Sequence, residues 1–204
     1  MPEAKEKIEQ EINPLIGFAE SLIRKAEESS EDRLVRGLIT LKEYYEIILM
    51  KLNNTERADT AIKRKAGYLT KKRLEAYDKY CSQDKWDQEV LRLFRSLREE
   101  GMERGFTFCS STNTEREIYE LNKRRGLFDL FDRDFVSVEM GLKKPNVDYF
   151  REIIRQLSAN PKEILFIDDK KENIKAANGV GMSTILYSGR LELVNKLKAY
   201  GVYA

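Results

Sequence analysis

The sequence predicts an α/β protein, a parallel sheet with helices on both faces, preceded by an all-helical region. Three observations carry this. From Gly105 onward, short strand-like runs alternate with stretches of helical period, the pattern of right-handed βαβ units. Before that point, residues 5 to about 100 show only the helical period. The run Leu165-Phe166-Ile167-Asp168-Asp169 is apolar and ends in two carboxylates, so it reads as a buried parallel strand opening into a polar site at its C-terminal end. With 204 residues, 41% hydrophobic and 35% charged, the chain can bury one good core, or one core and a small helical annex. The division this implies is a helical region over 1–84 and an α/β core over 85–204.

The elements follow in order. Thr40 with Glu43 makes a capping box ahead of the apolar stripe Tyr44, Ile47, Ile48 and Leu52. Thr70 is read as the cap of a helix carrying Leu74 and Tyr77. Asp84 starts a longer helix with Val90, Leu91, Phe94 and Leu97 on one face, ended near Gly101. Strands are then expected over 106–109, 135–138, 164–167 and 183–187, and helices over 114–125, 146–157, 171–178 and 191–200.

Composition removes several chemistries. There is no histidine, and Cys81 and Cys109 have no metal-ligand spacing, which leaves little room for a zinc site or a disulfide framework and excludes histidine-dependent triads. The net charge of +2 argues for neither a nucleic-acid nor a membrane partner globally. No segment reaches a spanning length of uninterrupted apolar residues, and the stretch from Glu3 is charged, so a cytoplasmic location is expected. One local cluster stands out: Arg57, Lys63, Arg64, Lys65, Lys71, Lys72, Arg73 and Lys79 are interleaved with Tyr68, Tyr77 and Tyr80, which suits a polyanion, although a solvated face is the plainer reading.

Polar residues gather at the expected strand ends. Ser110-Ser111-Thr112-Asn113 places hydroxyls before a helix N-terminus, where an anion would sit. Gly141-Leu142-Lys143-Lys144-Pro145 supplies a cation after the next strand, and Asp168-Asp169 supplies carboxylates after the third. Singly, each has an ordinary use as cap, turn or solvated charge. Their order gives them weight, since hydroxyl, lysine and carboxylate at successive strand ends form a phosphate-and-metal constellation.

In that order the residues resemble motifs two, three and four of the haloacid dehalogenase (HAD)-like hydrolases, a Rossmannoid family. The resemblance rests on Phe108-Cys109-Ser110-Ser111-Thr112-Asn113, Gly126-Leu127-Phe128-Asp129, Glu139-Met140-Gly141-Leu142-Lys143-Lys144-Pro145 and Phe166-Ile167-Asp168-Asp169-Lys170-Lys171-Glu172-Asn173. Residues 36–50 are similar to the helical cap of many members. The resemblance implies that Ser110 is the hydroxyl bonding a phosphoryl group, with Ser111 and Thr112 beside it, and that Lys144 is the orienting cation. It implies Asp169 as a metal-binding carboxylate, with Asp168 beside it and Asn173 as a further or substitute ligand.

The family's first motif is an N-terminal strand ending in Asp-x-Asp, which carries the nucleophile and the general acid/base. Here residues 1–10 are a charged, helix-forming stretch, and the apolar run 12–19 contains Pro14 and Gly17 and no aspartate. No catalytic nucleophile is identified. Without it, an in-line carboxylate is lacking and magnesium would be held weakly. The strands of Ser110 and Asp169 would then pair directly, or a foreign strand would lie between them. The leading expectation is a catalytically degenerate relative that binds a small phosphorylated ligand or a protein partner. A magnesium-dependent phosphatase with motif one supplied elsewhere, and a nucleic-acid-binding module using the basic helices, are the alternatives.

Overall fold

The computed structural model describes residues 30–82 and 88–202. Its elements are α1 (Ser30–Val35), α2 (Leu41–Leu52), α3 (Thr60–Ser82), α4 (Gln88–Arg104), β1 (Cys109–Thr112), α5 (Arg116–Arg124), β2 (Arg133–Val136), α6 (Ser137–Met140), α7 (Val147–Leu157), a 3-10 turn (Pro161–Glu163), β3 (Leu165–Asp168), α8 (Lys171–Gly179), β4 (Ser183–Leu186) and α9 (Arg190–Ala199). The expectations for residues 1–10, 12–19 and Asp84 lie outside the described residues. Among the described residues, no helix is long and apolar enough to cross a membrane. The chain divides near residue 85 into two compact units, and Thr114–Arg125 joins the first of them.

In the first unit, α2 begins at the capping box. The Glu43 N–H donates to Thr40 Oγ1 at 3.2 Å and the Thr40 N–H donates to the Glu43 carboxylate at 2.7 Å, which satisfies two donors of the first turn. Its stripe of Tyr44, Tyr45, Ile48 and Leu49 packs with Ile62 and Ala66 of α3. Thr70 starts no helix. It lies inside α3, where its hydroxyl donates to the Ala66 carbonyl at 3.0 Å, the back-bond a β-hydroxyl makes within a helix already held by packing. Thr114–Arg125 is tied to this unit by polar contacts that no local pattern announces. Glu117 accepts from the Leu41 N–H at 2.9 Å, Tyr77 and Asn122 exchange hydrogen bonds, and Glu115 and Arg125 form ion pairs with Arg73 and Asp78.

The second unit carries the strands. β1 pairs with β2 and β3 with β4, both in parallel. Helices cover both faces: Phe166 of β3 packs with Phe150 and Ile153 of α7 and Ala177 of α8, while its neighbour Leu165 faces Leu93 and Leu97 of α4 and Leu193 and Leu197 of α9. Among the described residues, β1 and β3 neither pair directly nor share a strand between them, and the two pairs are separate sheets.

Several boundaries shift. The α4 helix runs through the buried Gly101 to Arg104, and Gly105, at φ +73°, ends it in the left-handed region that glycine alone enters freely. β1 starts three residues later than expected. The Phe108 N–H donates at 2.8 Å to the Asp132 side chain instead of joining a ladder, so the polar Ser110-Ser111-Thr112 forms the strand. β2 likewise ends at Val136, because Ser137 opens α6.

The Phe150 ring is fully buried and meets Phe166 edge-on at 5.1 Å between centroids. Phe150→Ala is expected to lower unfolding free energy in urea by about 3–5 kcal/mol. Leu191→Ala, at a side chain 74% exposed, should change it by less than about 0.5 kcal/mol.

Candidate functional site

Lys144 stands at the centre of the site, in the loop between α6 and α7. Asn113, just past β1, clasps its backbone at two points: the Lys144 N–H donates to Asn113 Oδ1 at 3.0 Å, and Asn113 Nδ2 donates to the Lys144 carbonyl at 2.8 Å. The ammonium then donates to the Ser111 carbonyl of β1 at 2.8 Å and to Asp168 Oδ2 of β3 at 2.8 Å. It also lies over the Phe166 ring, 5.6 Å from the centroid. The ends of two sheets that share no backbone ladder among the described residues therefore meet at one cation, beside the apolar core that Phe135 and Phe166 also share. The pair is well shielded, with side chains 10% and 6% exposed.

Asp168 has little capacity left for another ligand. Its Oδ1 accepts from the Lys170 N–H and from Asn173 Nδ2, each at 2.9 Å. Burial pushes its carboxyl upward, but the bond and charge of Lys144, with the Asn173 and Lys170 donors, outweigh this and hold it below the usual carboxylate range. Asn173 is buried and bound to Asp168. Asp169, by contrast, is exposed and has no polar partner among the described residues. Among the described residues no three acidic or cysteine side chains come together as a metal set. With three of the Asp168 acceptor sites occupied and Asn173 turned to it, these residues do not by themselves fit a magnesium ion.

The three hydroxyls of β1 have different fates. Ser110, buried, donates to Asp134 at 2.5 Å across the β1–β2 pair, where the two residues are in register. The Tyr149 hydroxyl donates its one proton to the Phe135 carbonyl at 2.7 Å, so at 2.8 Å from Ser111 it accepts the seryl proton. Both seryl protons are thus spent internally. Thr112, the last residue of β1, forms no side-chain hydrogen bond among the described residues. Lys144 also keeps one of its three N–H groups. Among the described residues, the Thr112 hydroxyl and one Lys144 N–H are thus left without a hydrogen-bond partner. Asp134 and Tyr149 are the members the sequence did not single out, since each acts on a partner at least 24 residues distant in the chain. Burial pushes the Cys109 thiol up to about 11, which disfavours its thiolate form.

Because the folded state depresses the Asp168 carboxyl, its contribution is fully present above the usual carboxylate range and is lost as pH falls through the depressed value. Urea denaturation of the protein and of Asp168→Asn should differ by about 3–5 kcal/mol at neutral pH, because the variant strands a buried ammonium. The gap should close as pH falls below the ordinary carboxylate value. A gap unchanged between neutral and strongly acidic pH would show that the pair does not carry the difference.

Known proteins give this geometry a family. A model of the haloacid dehalogenase-like hydrolases matches residues 3–181. A HAD-like family hydrolase from Porphyromonas gingivalis superposes with a TM-score of 0.66 at 20% identity, covering 100% of this chain and 92% of that one. A HAD family enzyme from Bacteroides thetaiotaomicron, solved with magnesium and inorganic phosphate, gives 0.57 at 21% identity over 80% of this chain and 77% of its own. Among curated relatives, a sesquiterpene phosphatase of Aspergillus oryzae is 29% identical over 96 residues, 47% of each chain. A glyceraldehyde 3-phosphate phosphatase of Methanothermobacter thermautotrophicus is 35% identical over 69 residues, 33% of this chain and 30% of that protein. The matched part thus spans less than half the length of each of these two curated relatives. With a matched region that takes in most of its length, the chain belongs to the haloacid dehalogenase-like hydrolases.

Proposed function

We propose that this family member binds a small phosphorylated ligand at Thr112 and Lys144 and does not hydrolyse it. The observation that carries the reading is the hydroxyl inventory of β1. Ser110 and Ser111 have given their protons away, while Thr112 and one ammonium N–H remain available at the end of the strand. Such a pair, one neutral donor and one charged donor, recognises a phosphoryl oxygen through a charge-assisted hydrogen bond. Catalysis would further require a carboxylate in line with the phosphorus. Three of the Asp168 acceptor sites are taken by Lys144, Lys170 and Asn173. The sequence's Asp132-Arg133-Asp134 lies at the N-terminal start of β2, where the two carboxylates accept from Phe108 and Ser110, and residues 1–29 carry no aspartate. Weak magnesium binding at the exposed Asp169 is compatible with this reading, because one carboxylate and water suffice for a loose site.

The second reading is a magnesium-dependent phosphatase with its nucleophile supplied by another segment or chain. It is favoured by the names of the relatives, which are phosphatases of a terpenoid and of a triose phosphate.

Inorganic phosphate at ten times its Kd should stabilise the protein by about 1.4 kcal/mol, which is about 3–6 °C in Tm for a chain of this size. Thr112→Val and Lys144→Ala should remove that shift, whereas Ser111→Ala should keep it. In a separate assay with magnesium, turnover of p-nitrophenyl phosphate should not exceed that of Asp169→Asn. Magnesium-dependent hydrolysis abolished by that substitution would establish the phosphatase reading instead.

A further inference from the structure

Helix α3 has two unlike sides. Ile62, Ala66, Leu69 and Leu74 pack into the core of the first unit. On the other side Tyr68 is 59% exposed and is flanked by Arg64 and Lys65 one turn before it and by Lys71 and Lys72 one turn after. Residues three and four apart share a helix face, so the five side chains form one patch about 12 Å long. The concentration of charge is marked. The helix holds seven lysines and arginines against Glu75 and Asp78, while the whole chain is only +2, so the remainder of the chain is net acidic.

The pairing pattern leaves this patch positive. Lys71 and Lys72 share the single carboxylate of Glu75, at 3.8 and 3.1 Å. Arg64 and Lys65 form no ion pair among the described residues. Lys72 lies over the Tyr68 ring, 5.8 Å from its centroid. Among the described residues the ring is therefore a largely exposed aromatic surface held among cations.

We propose that this face binds single-stranded nucleic acid, with Tyr68 stacking on a base and Arg64, Lys65, Lys71 and Lys72 contacting the adjoining phosphates. An exposed ring among cations is the combination that single strands use, since every base has a π-face and a duplex hides it. An anionic membrane would require aliphatic side chains, and Ile62, Leu69 and Leu74 are turned inward. An acidic peptide would use the cations and leave the ring idle. The inference is independent of the phosphate site at Thr112 and Lys144.

Fluorescence anisotropy of a labelled oligouridylate, titrated with the full chain, tests it. Four phosphate contacts give a salt slope of about −3, so raising salt from about 50 to about 200 mM should weaken binding about fiftyfold. Tyr68→Ala should weaken it at least about fivefold while leaving the slope unchanged. Tyr68→Phe should bind like the parent. The double variant Arg64→Ala, Lys65→Ala should lower the slope by about 1.4. All these positions are solvent-facing except for contacts along the helix, and far-ultraviolet circular dichroism checks that each variant keeps its helix. The proposal is overturned by an absence of binding at low salt, by equal binding of Tyr68→Ala, or by equal affinity for a duplex of the same length. Tighter association with phosphatidylserine vesicles would assign the patch to a membrane instead.

Discussion

A lysine ammonium withdrawn from water must find partners, because the penalty for an unpaired buried charge is several kcal/mol. Much of the α/β unit is arranged around how Lys144 meets that constraint. Its backbone is clasped by Asn113, and its ammonium is shared between the Ser111 carbonyl and Asp168. Those acceptors sit at the ends of β1 and β3, which belong to sheets with no hydrogen bond between them among the described residues. One charge thus joins what the backbone ladders leave apart. Asp168 in turn depends on Asn173 and the Lys170 N–H, so the start of α8 is drawn into the same network.

That network also decides what remains for a ligand. A hydroxyl has one proton to give. Asp134 takes the proton of Ser110, and Tyr149 takes that of Ser111 because its own goes to Phe135. The polar strand Cys109–Thr112 is stabilised by these internal bonds, which compensate for its lack of apolar side chains. Only its last hydroxyl faces outward from this accounting. The same bonds that make β1 a strand therefore narrow the anion site to Thr112 and Lys144.

Much of the fold was legible in the sequence because its signals are local. The Thr40–Glu43 box and the starts of α7 at Asn146 and α8 near Lys171 depend on residues within one or two turns and appear where expected, whereas the α2 stripe buries Tyr45 and Leu49 and leaves the expected Leu52 exposed. The strands were placed less well. Apolar runs pointed to 106–109 and 135–138, whereas ladder register, set by Ser110 opposite Asp134, moved β1 three residues onward and ended β2 two residues early. The order of hydroxyl, lysine and carboxylate was readable for the same reason that motifs are. Which hydroxyl stays free was not, because it depends on Asp134 and Tyr149, 24 and 38 residues from their partners. Thr70 misled because a helix interior and a helix cap use the same residue type, and only packing against α2 separates them.

The claim that the buried Lys144–Asp168 pair stabilises the link between the two sheets is tested most directly by a double-mutant cycle. Lys144→Met, Asp168→Asn and the double variant would be unfolded in urea at neutral pH beside the parent protein. Each single substitution strands the opposite partner, and the double variant relieves both. The account predicts a coupling free energy of about 2–3 kcal/mol, with the double variant far less destabilised than the sum of the singles. Additive losses, with a coupling below about 0.5 kcal/mol, would contradict it.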